Sequence, residues 1–145
     1  MPVMAWRRLL TTVLVALLCG CAVGERHRDP AEVTASVQDA GDQAASAVAT
    51  VRTAVELLRD DRLAVTVADT TQADSIRVLE QATRTLTTLA PPTPGTRHTR
   101  DDLLAVVQQA TTAVVAAGAW IAGDRTGSPD QVLAMLAEAE TAVSG

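Results

Sequence analysis

Apolar side chains recur at Val33, Val37, Ala40, Ala44, Ala47, Val51, Ala54 and Leu58, stepping by four and three in alternation. Such steps place all eight on one face of an α-helix, whereas the period of two in a strand would divide them between both faces. A seam of this length needs partners that hide it from water. The chain supplies them. Leu103, Val107, Ala110, Val114, Ala117 and Ile121 step in the same way, as do Val132, Leu136, Ala139 and Val143. An all-α fold follows.

The ends of these segments are marked. Asp29-Pro30-Ala31-Glu32 provides an N-cap, a proline at the first helical position and an early acid, opening a helix over about 30–60. Arg59-Asp60-Asp61-Arg62 is the turn after it. The second segment, about 62–90, keeps helical phase from Val65 and Ala68 through Gln72 and Ser75 to Leu79, Ala82, Leu86 and Leu89. Two features compete with one straight helix there. Leu63, Val65 and Val67 alternate as a strand would, and Thr71-Gln72-Ala73-Asp74 has the form of a late capping box. The reading adopted is one helix, frayed or bent near 69–71, because a lone strand would find no partner in the rest of the chain.

Pro91-Pro92-Thr93-Pro94-Gly95 ends the second helix. A third is expected over 99–122, opened by Thr99-Arg100-Asp101-Asp102, with His98 in the preceding loop. Ser128-Pro129-Asp130-Gln131 opens a fourth over 129–144. Four amphipathic helices with short connections specify an up-down-up-down four-helix bundle over 30–145, with a short fourth helix.

The seams are small. The chain has neither Phe nor Tyr, aromatic content is 1%, and Ala and Val dominate the core positions. Small seams let helices approach toward about 8 Å, the close end of the packing range. Trp120 is expected to plug one end of the bundle beside Ile121; the competing reading is a ring that stacks on a ligand.

Upstream, Arg7 and Arg8 precede the ten-residue apolar run Leu9–Leu18. Ten residues make about 15 Å of helix, half of a hydrocarbon layer, so a cleaved signal peptide fits better than a membrane span. Its end, Leu18-Cys19-Gly20-Cys21, resembles the lipobox of bacterial lipoproteins: an aliphatic residue, a small one directly before the cysteine, then the cysteine itself. Cys19 departs mildly from the usual Ala, Ser or Thr. The resemblance implies cleavage between Gly20 and Cys21 and a diacylglyceryl group, palmitate among its acyl chains, on Cys21. It divides the chain into a signal peptide (1–20), a lipidated tether (21–29) and the helical domain. It also implies a cell-membrane location, anchored on the extracytoplasmic face.

That reading alters the arithmetic. The full chain carries 12 basic residues, all Arg, and 17 acids, for a charge of −5. Loss of Arg7 and Arg8 leaves 10 Arg against 17 acids, or −7. A surface this acidic is repelled by anionic headgroups, so the acyl chains rather than the domain hold the membrane. Negative charge and missing aromatics also exclude a nucleic-acid binder. The absence of Lys with abundant Ala, Arg, Thr and Val resembles proteins of high-GC Gram-positive bacteria, and the pattern looks like their small helical lipoproteins.

Little in the chain carries chemistry. His27 and His98 lack the Glu-x-x-His spacing of bundle metal sites, Asp101 and Asp102 read as capping acids, and Glu80–Arg84 and Arg52–Glu56 read as surface pairs. No cofactor, catalytic or metal site is expected, and no enzyme. One functional surface is. The fourth helix, about 24 Å long, is shorter than the others at roughly 40–45 Å and leaves part of the bundle uncovered. That predicts an apolar groove at the membrane-proximal end, lined by Val33, Val37, Leu86, Leu89, Leu103, Leu104 and Val107. The competing reading has the start of the first helix, broken by Asp39, Gly41 and Asp42, folding over to close it. An open groove would serve a protein partner or self-association in the cell envelope; an enclosed cavity would instead make the protein a carrier of an apolar small molecule or lipid.

Overall fold

The computed structural model describes residues 29–124 and 127–145. They form four α-helices: α1 (Pro30–Arg59), α2 (Val65–Thr88), α3 (Pro94–Ile121) and α4 (Pro129–Ser144). Among the described residues there is no strand. The lipobox and signal segment lie outside the described residues.

Helix α1 starts where the sequence places it. The Asp29 carboxylate accepts from the Ala31 amide at 3.0 Å, and Pro30 occupies the first turn, where its missing N–H is no loss. The helix ends in a Schellman motif: the Asp61 amide donates to Leu58 O and the Arg62 amide to Leu57 O. This requires Asp61 at φ 55°, a left-handed conformation that an Asp tolerates at some cost. Helix α3 ends identically, with Gly123 at φ 96° and the Gly123 and Asp124 amides donating to Trp120 O and Ala119 O.

Helix α2 is a single α-helix without interruption at 69–71, beginning at Val65 rather than 62 and ending at Thr88. Leu63, Val65 and Val67 alternate in sequence but form no strand. Val65 is 52% exposed and so lies off the seam to which its phase assigned it. Thr71 does not cap; its hydroxyl donates to Val67 O in the preceding turn.

The start of α3 differs most from expectation. It begins at Pro94, five residues before Thr99, with Thr93 as N-cap. The Thr96 amide donates to Thr93 Oγ1 and the Thr93 amide to Thr96 Oγ1, both at 3.2 Å. The last proline of the loop is therefore the first residue of the helix, since proline's fixed φ suits that position. Thr99 sits inside, donating to Gly95 O, and Asp101 and Asp102 lie beyond the first turn. Helix α4 opens as the sequence predicts, with a reciprocal capping box between Ser128 and Gln131.

The four helices pack as a bundle in which α1 touches all three others, whereas α2 and α4 do not meet. The α1 seam is buried except at Leu58, and Gly41, Val48 and Val55 widen it into a broad stripe. Leu79, Leu86, Val107, Val114 and Leu136 fill the centre. Helix α3 is apolar and long enough by composition to cross a bilayer (mean hydropathy 1.5), yet α1, α2 and α4 all pack against it. Trp120 is half-buried against the core at the end where α1 and α3 finish.

Candidate functional site

The expected apolar groove is filled rather than open. Val33, Val37, Leu86, Leu89 and Val107 are all buried, and Leu103 and Leu104 are half-buried, both packed against the core. The reason is the diagonal contact between α1 and α3. With Gly41 facing Leu103, α1 comes directly against α3, so a fourth helix is not needed to exclude water below the end of α4. Gly41 marks the level where α4 stops: a Cβ there would meet Leu103 at 3.6 Å and the Val143 carbonyl at 4.0 Å. Asp39, Gly41 and Asp42 do not break α1, which is helical throughout.

The concavities lie instead between helices on the outer surface. A groove of about 610 Å³ separates α1 from α2, lined by Asp42, Gln43, Ser46, Ala47 and Thr50 on one wall and Thr71, Asp74, Ser75 and Val78 on the other. A second, of about 540 Å³, lies between α1 and α4. Arg52 spans it, with Nε 2.9 Å from Glu140 and Nη1 3.6 Å from Glu56. A third, of about 470 Å³, sits at the end of the bundle among Leu58, Val65, Trp120, Ile121 and Pro129. Trp120 packs against the core beside Ile121, as expected, and also lines this depression.

Charged side chains mostly pair along the surface. Arg84 lies 3.8 Å from Glu80, and Arg52–Glu56 also forms as the spacing predicts. Arg59 joins the end of α1 to the start of α4 through Asp130 at 3.5 Å. Its guanidinium is held above its ordinary pKa, chiefly by the hydrogen bond to Asp60 and by the charge of that carboxylate. Arg100 is mostly buried; it donates to Leu89 O at 3.1 Å and so fastens the end of α2 to α3. His98 lies in α3, not in a loop, with Nε2 3.2 Å from Asp102. Among the described residues no three His, Cys, Asp or Glu side chains come together to hold a metal ion.

The α1–α2 groove escaped the sequence reading, although one signal was present. Ser75 falls on the apolar phase of α2, and a hydroxyl at a seam position needs a reason. Cys21 and Gly20 lie outside the described residues, so the structure neither adds to nor subtracts from their reading. No protein-family model, curated protein or solved structure matches the chain.

Proposed function

We propose that this protein is a membrane-anchored extracytoplasmic lipoprotein, whose helical bundle acts without catalysis by engaging another protein of the cell envelope or a second copy of itself. The observation that carries the reading is Leu18-Cys19-Gly20-Cys21 following Arg7-Arg8 and a ten-residue apolar run. The start of α1 at Pro30 supports it, because only residues 22–29 then separate the acylated cysteine from the folded domain. Two acyl chains suffice for stable anchoring. The acidic domain would stand off an anionic surface and present its outer grooves to partners.

Metabolic labelling with a palmitate analogue tests the anchor. The wild-type chain should carry the label and partition with membranes, and Cys21→Ser should lose both properties. Label retained by Cys21→Ser, or no label on the wild type, overturns it. In-cell crosslinking of the anchored protein then tests the interaction: a discrete adduct supports it, and recovery of monomer alone counts against it.

A further inference from the structure

The α1–α2 groove contains polar groups that the fold leaves unused. Ser75 is only 4% exposed and lines the groove, yet its hydroxyl makes no hydrogen bond to any described residue. Its neighbours behave differently. Thr50 donates to Ser46 O at 2.7 Å and Thr71 to Val67 O at 2.8 Å, which commits both hydroxyl protons to the helix backbone. What these two threonines offer the groove is oxygen lone pairs.

Asp42 and Asp74 add carboxylates on opposite walls. Asp42 has no ion-pair partner among the described residues. Arg77 takes Asp74 Oδ1, while Oδ2 has no partner among the described residues. No cationic side chain lines the groove. The site is thus rich in acceptors and negative in charge, with Ala47 and Val78 supplying an apolar wall.

A matching ligand has several donors and a positive charge, and carries an apolar stem; the Gln43 amide and the Ser75 hydroxyl proton are left to water. A primary ammonium, with three donors and no acceptor, has that inventory. Anions are excluded by sign. A bare metal ion would leave the apolar wall and most of the volume unused. We infer that the α1–α2 groove binds an alkylammonium compound, its ammonium between Asp42, Asp74 and the Ser75 hydroxyl and its methylene stem along Ala47 and Val78. The inference does not rest on the lipid anchor, and neither stands or falls with the other.

Titration of the full-length chain in detergent micelles with 1,5-diaminopentane tests it, followed by amide chemical shifts. Saturable shifts centred on Ser46, Thr50, Thr71 and Ser75 are expected, with affinity falling as salt is added. Asp42→Asn and Asp74→Asn should each weaken binding about tenfold, and Ser75→Ala about threefold, with unchanged circular dichroism. The uncharged 1-pentanol should not saturate. Equal affinity for 1-pentanol, no saturation by the diamine, or unchanged affinity in the Asp42→Asn/Asp74→Asn double variant overturns the proposal. Calcium ions saturating the same residues when the diamine does not would also overturn it.

Discussion

The side-chain amide of Gln72 in α2 lies over Gly118 in α3, and the missing Cβ of that glycine is what admits it. A Cβ on Gly118 would stand 2.6 Å from Gln72 Nε2, inside any tolerable contact. The amide instead donates to the Val114 carbonyl at 3.3 Å. This partly buried bond fixes the register of α2 against α3 toward the end of the bundle where α2 begins and α3 finishes.

Gly118→Ala should therefore be nearly neutral by itself. Better helix propensity gains about 1 kcal/mol, and expulsion of the Gln72 amide loses a hydrogen bond of about 1 kcal/mol. In a Gln72→Ala background the conflict is gone, and the same substitution should stabilise by about 0.5–1 kcal/mol. A double-mutant cycle by urea denaturation checks this: additive effects would show that the two residues are uncoupled.

Leu86 separates a closed core from an open groove. Fully buried as it is, Leu86→Ala should cost about 2–5 kcal/mol by removing methyl groups from a packed interior. A side chain at the rim of an open groove would cost well under half that. The denaturation midpoint decides between them.

The true start of α3 can be tested at two threonines. Thr93→Ala removes the N-cap and should destabilise by about 1 kcal/mol, whereas Thr99→Ala, which loses only a back-bond to Gly95 O, should change stability by less than about 0.5 kcal/mol. Equal losses would return the helix start to the later position.

Asp61 adopts a left-handed conformation to close the motif at the end of α1. Asp61→Gly should raise stability by about 0.5–1 kcal/mol, since glycine carries no Cβ penalty there. A lowered midpoint would mean that the Asp61 side chain contributes something the backbone geometry does not explain.

Much of this fold is written locally. The four-and-three spacing identifies the α1, α3 and α4 seams because helical phase is a property of one segment, and of these only Leu58 and Leu103 are not fully buried. Ser128 and Gln131 mark the start of α4 because a capping box closes within four residues. The start of α3 was misread where two local signals compete. Thr93–Thr96 and Thr99–Asp102 both have capping form, and Pro91, Pro92 and Pro94 suggest a loop until Pro94 is seen to occupy the first turn. Ser75 was legible only as a polar residue in an apolar row, since its meaning depends on Asp42 and Ser46 from another helix.

The sequence by itself determined the helical class, the number of helices and the seams that must be buried, because each follows from side-chain chemistry at short separation along the chain. Tertiary structure alone decided that α1 comes directly against α3, with Gly41 facing Leu103, closing the space that a short α4 leaves uncovered. It also decided that Gln72 reaches Val114 over Gly118, and that the unused oxygens lie between α1 and α2. These depend on how closely helices approach and at what rotation, quantities set by all the seams packing together.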